Sequence, residues 1–209
     1  MRSLLSALLF LVALPVASGQ PQSGRPGNFD YYLFTLSWSP EYCHSHREAV
    51  ECTGGNHYGF IVHGLWPQFF NGRYPERCST DSAPNNPSSV NGIMPDPSLI
   101  RHEWQTHGTC SGLSPNQYFA LIRQTFDSIR IPTAFANPTR SFTMRPSEVK
   151  QSFEQANPKI SASSIAVNCP QNYLTGVQIC VSRNGTPISC PPNAARDCRA
   201  ASIRIPPVR

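Results

Sequence analysis

Apolar positions along the chain fall in short blocks whose period changes from strand-like to helical and back. The run FDYYLFTLSW at 29–38 is almost continuously aromatic or aliphatic, the composition of a strand buried on both faces. YGFIVHGL at 58–65 repeats that signal and places His63 at the end of a central strand. Residues 98–106 predict a helix with Pro97 beside its start. The clearest helix opens at Ser114-Pro115 and carries its apolar stripe on Tyr118, Phe119, Ile122, Phe126 and Ile129. Another begins near Pro146 and runs through Val149 and Phe153 to about Ala156. Residues 160–168 and 173–182 predict two neighbouring strands. Strands, then helices, then strands again indicate an α+β fold, a central antiparallel sheet with several packed helices.

The segments between these blocks set the domain limits. Residues 1–19 are expected to be a secretory signal: Arg2 is charged, Leu4 to Val16 are mainly apolar, and Ala17-Ser18-Gly19 is a run of small residues. That segment is too short to remain in a membrane as a helix, and nothing later approaches the ~20 apolar residues a span needs. The mature chain is therefore expected to have no membrane partner. Residues 20–28, rich in Pro, Gly and Ser, are expected to be a loose lead-in to a single domain over 29–209. Between 71 and 97, Pro75, Pro84, Pro87, Pro95 and Pro97 punctuate an irregular stretch of a length that is often functional. No repeat or heptad pattern interrupts this organisation.

Eight cysteines lie beyond the signal, an even number that fits four disulfides made in an oxidising compartment. Spacing alone leaves their pairing open. A cysteine zinc site is disfavoured because no C-x-x-C pair is present. The formal charge of +5 is compatible with a polyanionic partner but is also common in secreted proteins that bind none. Six histidines would add charge in a mildly acidic compartment.

The histidines carry the chemistry. His102-Glu103-Trp104-Gln105-Thr106-His107 invites comparison with the zinc motif H-E-x-x-H, which needs histidines at i and i+4 on one helix face. Here the spacing is i and i+5, about 140° apart on a regular helix. A metalloprotease is accordingly disfavoured, and no metal or other cofactor is expected. Glu103 and His107 are instead i,i+4 neighbours, so the carboxylate is expected to orient and tune that imidazole as a proton carrier. A lone histidine is usually just a surface or capping residue, but three in two dense Gly- and aromatic-containing segments are a different matter.

Those segments, FIVHGLWPQ at 60–68 and HEWQTHGTC at 102–110, resemble the two active-site segments of the ribonuclease T2 family, and FTLSWSPEYC at 34–43 resembles its first strand and following turn. The resemblance runs from about Phe29 to the C-terminus. It implies a secreted endoribonuclease that cleaves single-stranded RNA to 2′,3′-cyclic phosphates, then hydrolyses these more slowly to 3′-phosphates, with little base specificity. It implies His107 as base, His63 as acid, His102 on the phosphate, and Glu103 beside His107. Trp66 and Tyr74 would form the pocket for the upstream base, although Trp66 could equally be a core residue; Trp104 is expected in the core. The cysteine pattern C-x10-C-x9-C-x7-C likewise implies Cys169 with Cys198 and Cys180 with Cys190, and the resemblance adds Cys78 with Cys110 and Cys43 with Cys52.

The chain also departs from that pattern. Thr106 stands where the family commonly has Lys, Gln68 where some members carry an acidic base-reader, and Leu99 where many have a stacking aromatic. These three residues put base preference and transition-state charge stabilisation in question, with Arg101 one candidate replacement cation. A non-catalytic RNA-binding or signalling protein on the same fold is the alternative, and retention of all three histidines argues against it. A monomer located outside the cell, or in periplasm, vacuole or lysosome, is expected. Asn184-Gly185-Thr186 would accept a glycan in a host that makes them.

Overall fold

The polar alternation of an exposed strand is missing from 29–38 because both faces of the strand formed at 31–38 are covered by apolar clusters. In a computed structural model that describes residues 21–208 apart from 54, 56 and 85, the chain opens with β1 (Pro21–Ser23) and β2 (Tyr31–Trp38), then α1 (Ser39–Ser45) and α2 (Val50–Thr53). There follow β3 (Phe60–Gln68), β4 (Tyr74–Glu76), α3 (Pro97–Thr106), α4 (Pro115–Asp127) and α5 (Thr133–Ala136). The C-terminal part adds β5 (Phe142–Met144), α6 (Pro146–Ala156), β6 (Ile165–Asn168), β7 (Gly176–Val181) and β8 (Ile203–Ile205). The main sheet is antiparallel in the order β3-β2-β7-β6, which makes the architecture α+β as expected. The expected signal, 1–19, lies outside the described residues. Within the lead-in expected to be loose, β1 pairs in parallel with β4, from Pro21 opposite Tyr74 to Ser23 opposite Glu76.

Two corrections concern β3. It is an edge strand, not a central one, and it continues past Leu65 through Pro67. An edge strand tolerates proline because the missing N–H can face away from the ladder. His63 consequently sits within the strand and not at its end. Nor is the pairing with β2 regular: Thr35 lies opposite Gly64 and Leu36 opposite Val62, which leaves His63 as the extra residue of a β-bulge. Val62 and Leu65 both join the helix-side core although an odd spacing in a regular strand would send them to opposite faces. The bulge between them resolves that conflict and turns His63 out of the alternation.

Tyr32, Phe34 and Leu36 of β2 meet Trp104 of α3, Tyr118, Phe119 and Ile122 of α4, and Val149 and Phe153 of α6 in the main core. Tyr31 and Leu33 point into a smaller cluster with Cys180 and Ala194. The Tyr118 hydroxyl donates to the Leu65 carbonyl across 2.8 Å, fastening α4 to the histidine-bearing strand. Disulfides join Cys43 to Cys52, Cys78 to Cys110, Cys169 to Cys198 and Cys180 to Cys190. Among the described residues no helix is long and apolar enough to cross a membrane.

Candidate active site

Helix α3 begins where Pro97 can occupy its first turn at no cost in hydrogen bonds, and Asp96 Oδ1 accepts from the Ser98 N–H across 2.7 Å. It ends at Thr106, so His107 is a C-cap with φ −116° and not a continuation of the helix. Gly108 follows because the chain turns directly against Trp104: a Cβ there would lie 2.4 Å from the indole Cε3. Trp104 itself is 1 % exposed and donates from Nε1 to the Asp81 carbonyl, a core residue as expected.

The end of α3 packs against the bulged part of β3 and brings His63, Trp66, Glu103 and His107 together. The Trp66 indole Nε1 donates to Glu103 Oε2 across 2.7 Å. Its ring stacks on that of His107, centroids 5.1 Å apart and planes at 27°, and meets His63 edge-on at 5.5 Å. His63 Nε2 lies 3.5 Å from Glu103 Oε1, and its Nδ1 is 2.9 Å from the Ser37 hydroxyl. Gly64 makes the approach possible, since a Cβ there would come within 1.9 Å of Glu103 Oε2.

Glu103 therefore does not orient the His107 ring, as i,i+4 spacing had suggested; its carboxyl faces Trp66 and His63. Helical spacing fails there because His107 has left the helix, and the link that remains is the backbone bond from the His107 N–H to the Glu103 carbonyl. Of the other expected residues, His102 is exposed on α3, while Thr106 is 5 % exposed and Gln68 6 %. Leu99 packs against the main core, and Tyr74 stands half-buried in β4. None of these side chains is hydrogen-bonded to or stacked on His63 or His107 among the described residues. Arg101 lies on α3, and Arg77 is the cation that acts on His107; its backbone N–H donates to the Thr106 carbonyl across 2.9 Å.

Burial sets the proton distribution. It pushes the Glu103 carboxyl up to about 8, against the lowering effect of the Trp66 bond. It drives His63 down to about 4 with help from the His102 charge. His107 falls to about 3, through burial first and then repulsion from His102, His63 and Arg77. Burial thus favours the protonated form of the carboxyl and the neutral form of both imidazoles. Glu103 Oε1, Thr106 Oγ1 and His107 Nδ1 are buried without hydrogen-bond partners among the described residues. Buried polar atoms so left are costly unless a ligand engages them.

Sequence patterns did not single out Ser37, Gly64 or Arg77. The available signal for Ser37 was a polar residue inside the apolar run 29–38. For Gly64 it was a glycine directly after a histidine in a strand, which often marks a bulge or a close approach. Arg77 had none beyond its place next to a cysteine.

Known proteins resemble this chain in sequence and in fold. Residues 29–190 match the Ribonuclease T2 family. A ribonuclease of Aeromonas hydrophila is 31 % identical over 89 % of this chain and 87 % of its own length. The structure of ribonuclease MC1 from bitter gourd seeds superposes with a TM-score of 0.66 at 26 % identity, covering 84 % of this chain and 99 % of that one. A single-residue mutant of ribonuclease MC1, solved in complex with 5′-UMP, gives a TM-score of 0.67 at 25 % identity over 84 % of this chain and 97 % of its own. With residues 29–190 matching its model, and His63, Glu103 and His107 brought together within that span, the chain belongs to the Ribonuclease T2 family.

Proposed function

We propose that this endoribonuclease cuts single-stranded RNA by metal-independent transphosphorylation, with His107 and His63 moving the protons. The observation that carries the reading is the placement of the two imidazoles on Trp66, His107 stacked on its ring and His63 at its edge, with buried Glu103 between helix and strand. In the first step the 2′-oxygen attacks phosphorus and gives its proton to neutral His107. The P–O5′ bond breaks and the departing 5′-oxygen takes a proton from His63, leaving a 2′,3′-cyclic phosphate. In the second step His63 takes a proton from water, which opens the ring, and His107 returns the proton to the 2′-oxygen.

His63 needs a proton for the first step although burial disfavours its charge. The negative charge of an incoming phosphate favours the imidazolium. Exposed His102 is the phosphate contact, and Arg77 contributes positive potential on the His107 side.

A nucleotide seen on ribonuclease MC1 supports nucleotide binding here, and the buried Gln68 and core-packed Leu99 leave little to read base edges. Stacking, which every base offers, then dominates and cleavage has little base specificity. Four disulfides and the signal-like N-terminus support secretion. The test is product analysis on short single-stranded RNAs in excess EDTA. Cyclic phosphates followed by 3′-phosphates are expected at an undiminished rate; loss of cleavage on chelation would overturn the mechanism.

A further inference from the structure

The imidazole of His63 has two nitrogens, and its place in a bulge gives it no backbone partner on β2 to fix its direction. Something else must determine which nitrogen meets the substrate. Ser37 is the penultimate residue of β2, half-buried, and its hydroxyl lies 2.9 Å from His63 Nδ1. That hydroxyl makes no other hydrogen bond among the described residues. The remaining nitrogen, Nε2, is directed toward Glu103 Oε1 at 3.5 Å.

A hydroxyl differs from the carboxylate that often orients a catalytic histidine, because it accepts without carrying a charge. Beside a neutral ring whose Nε2 is free to take a proton, it accepts from Nδ1–H. Beside an imidazolium it accepts from Nδ1–H in the same way. The contact therefore survives in either charge state and adds no negative charge of its own. A group that must act as acid in one step and base in the next needs an orienting partner of this kind, since a charged acceptor would favour the imidazolium throughout.

We infer that Ser37 is a positioning residue for His63, holding the ring by Nδ1 so that Nε2 carries the transferred proton in both cleavage and cyclic-phosphate hydrolysis. The inference rests on the proposed role of His63. A side chain that only filled space would support stability without touching the tautomer or the pH dependence.

Ser37→Ala and Ser37→Thr separate these cases. Ser37→Ala is expected to lower kcat about tenfold or more in both steps with KM for RNA little changed, to move the pH limb that belongs to His63, and to melt near the parent protein. Nitrogen-15 NMR of the histidines should show Nδ1–H for neutral His63 in the parent and a shift toward Nε2–H in Ser37→Ala. Ser37→Thr, which keeps the hydroxyl, should restore the rate and the tautomer. An inactive His63→Ala beside a Ser37→Ala with parental kcat, pH profile and tautomer would overturn the Ser37 assignment alone. Normal cleavage by His63→Ala would overturn the role of His63 itself, whatever Ser37→Ala does.

Discussion

The indole N–H of Trp66 donates to Oε2 of Glu103, and this one bond of 2.7 Å ties the edge strand β3 to helix α3. Trp66 is thus neither an ordinary core tryptophan nor simply an open platform for a base. Its N–H holds the buried carboxyl while its ring stacks on His107.

Trp66→Phe tests that linkage because phenylalanine keeps a ring against His107 but removes the donor. Glu103 Oε2 is left buried and without its partner, a loss of about 1–3 kcal/mol in stability. RNA cleavage should fall by at least about tenfold. Thermal unfolding and steady-state rates measured together decide the matter, and a parental rate would show that the bond is not needed for catalysis.

Gly64→Ala tests the close approach. The added methyl would sit 1.9 Å from Glu103 Oε2 and 2.5 Å from Trp66 Nε1, so the carboxyl must move. Overpacking of this kind costs about 1–3 kcal/mol. Cleavage should drop about a hundredfold while circular dichroism shows a folded protein; unchanged kinetics would mean that the carboxyl position is not critical.

Glu103 should also leave a signature in stability against pH. Burial raises its carboxyl to about 8, whereas the unfolded chain ionises it near 4.5. Between those values the folded state holds more protons than the unfolded state, so stability contributed by Glu103 is full below about 4.5 and is lost as pH rises toward 8. Glu103→Gln lacks this titration. Its melting temperature relative to the parent should therefore rise from pH 5 to pH 8, by up to about 1.4 kcal/mol in stability per pH unit. A constant difference across that range would show that Glu103 is already ionised in the folded protein.

The Cys78–Cys110 disulfide closes 32 residues and sits where the Pro-rich loop meets the end of α3. Beside it the Cys78 N–H donates to Thr109 Oγ1 and the Arg77 N–H to the Thr106 carbonyl. Replacing both cysteines by alanine should cost about 3–4 kcal/mol and reduce kcat at temperatures where the chain remains folded. The matching change at Cys43 and Cys52, which close only 9 residues in another part of the molecule, should lower stability less and leave kcat near the parent value. Equal loss of kcat in both variants would indicate that Cys78–Cys110 acts on folding alone.

Much of the scaffold was legible because it depends on local periodicity. The apolar run on 31–38 marks a strand buried on both faces, and the stripe on Tyr118, Phe119 and Ile122 after Ser114-Pro115 marks α4. The short elements were not legible. β1, β4, β5 and β8 have three residues each, too few for a period, and exist because a partner strand elsewhere in the chain completes them.

The sequence by itself determined which side chains could do chemistry: three histidines and a glutamate in two segments, with helical spacing that disfavours a zinc pair. What only the tertiary structure decided was who faces whom. A bulge removes His63 from the alternation of β3, and the end of α3 releases His107 from helical register, so Glu103 meets Trp66 and His63 instead of the neighbour that i,i+4 spacing assigns it. Both effects arise from irregular backbone at the junction of two elements distant in sequence, where packing outweighs local geometry.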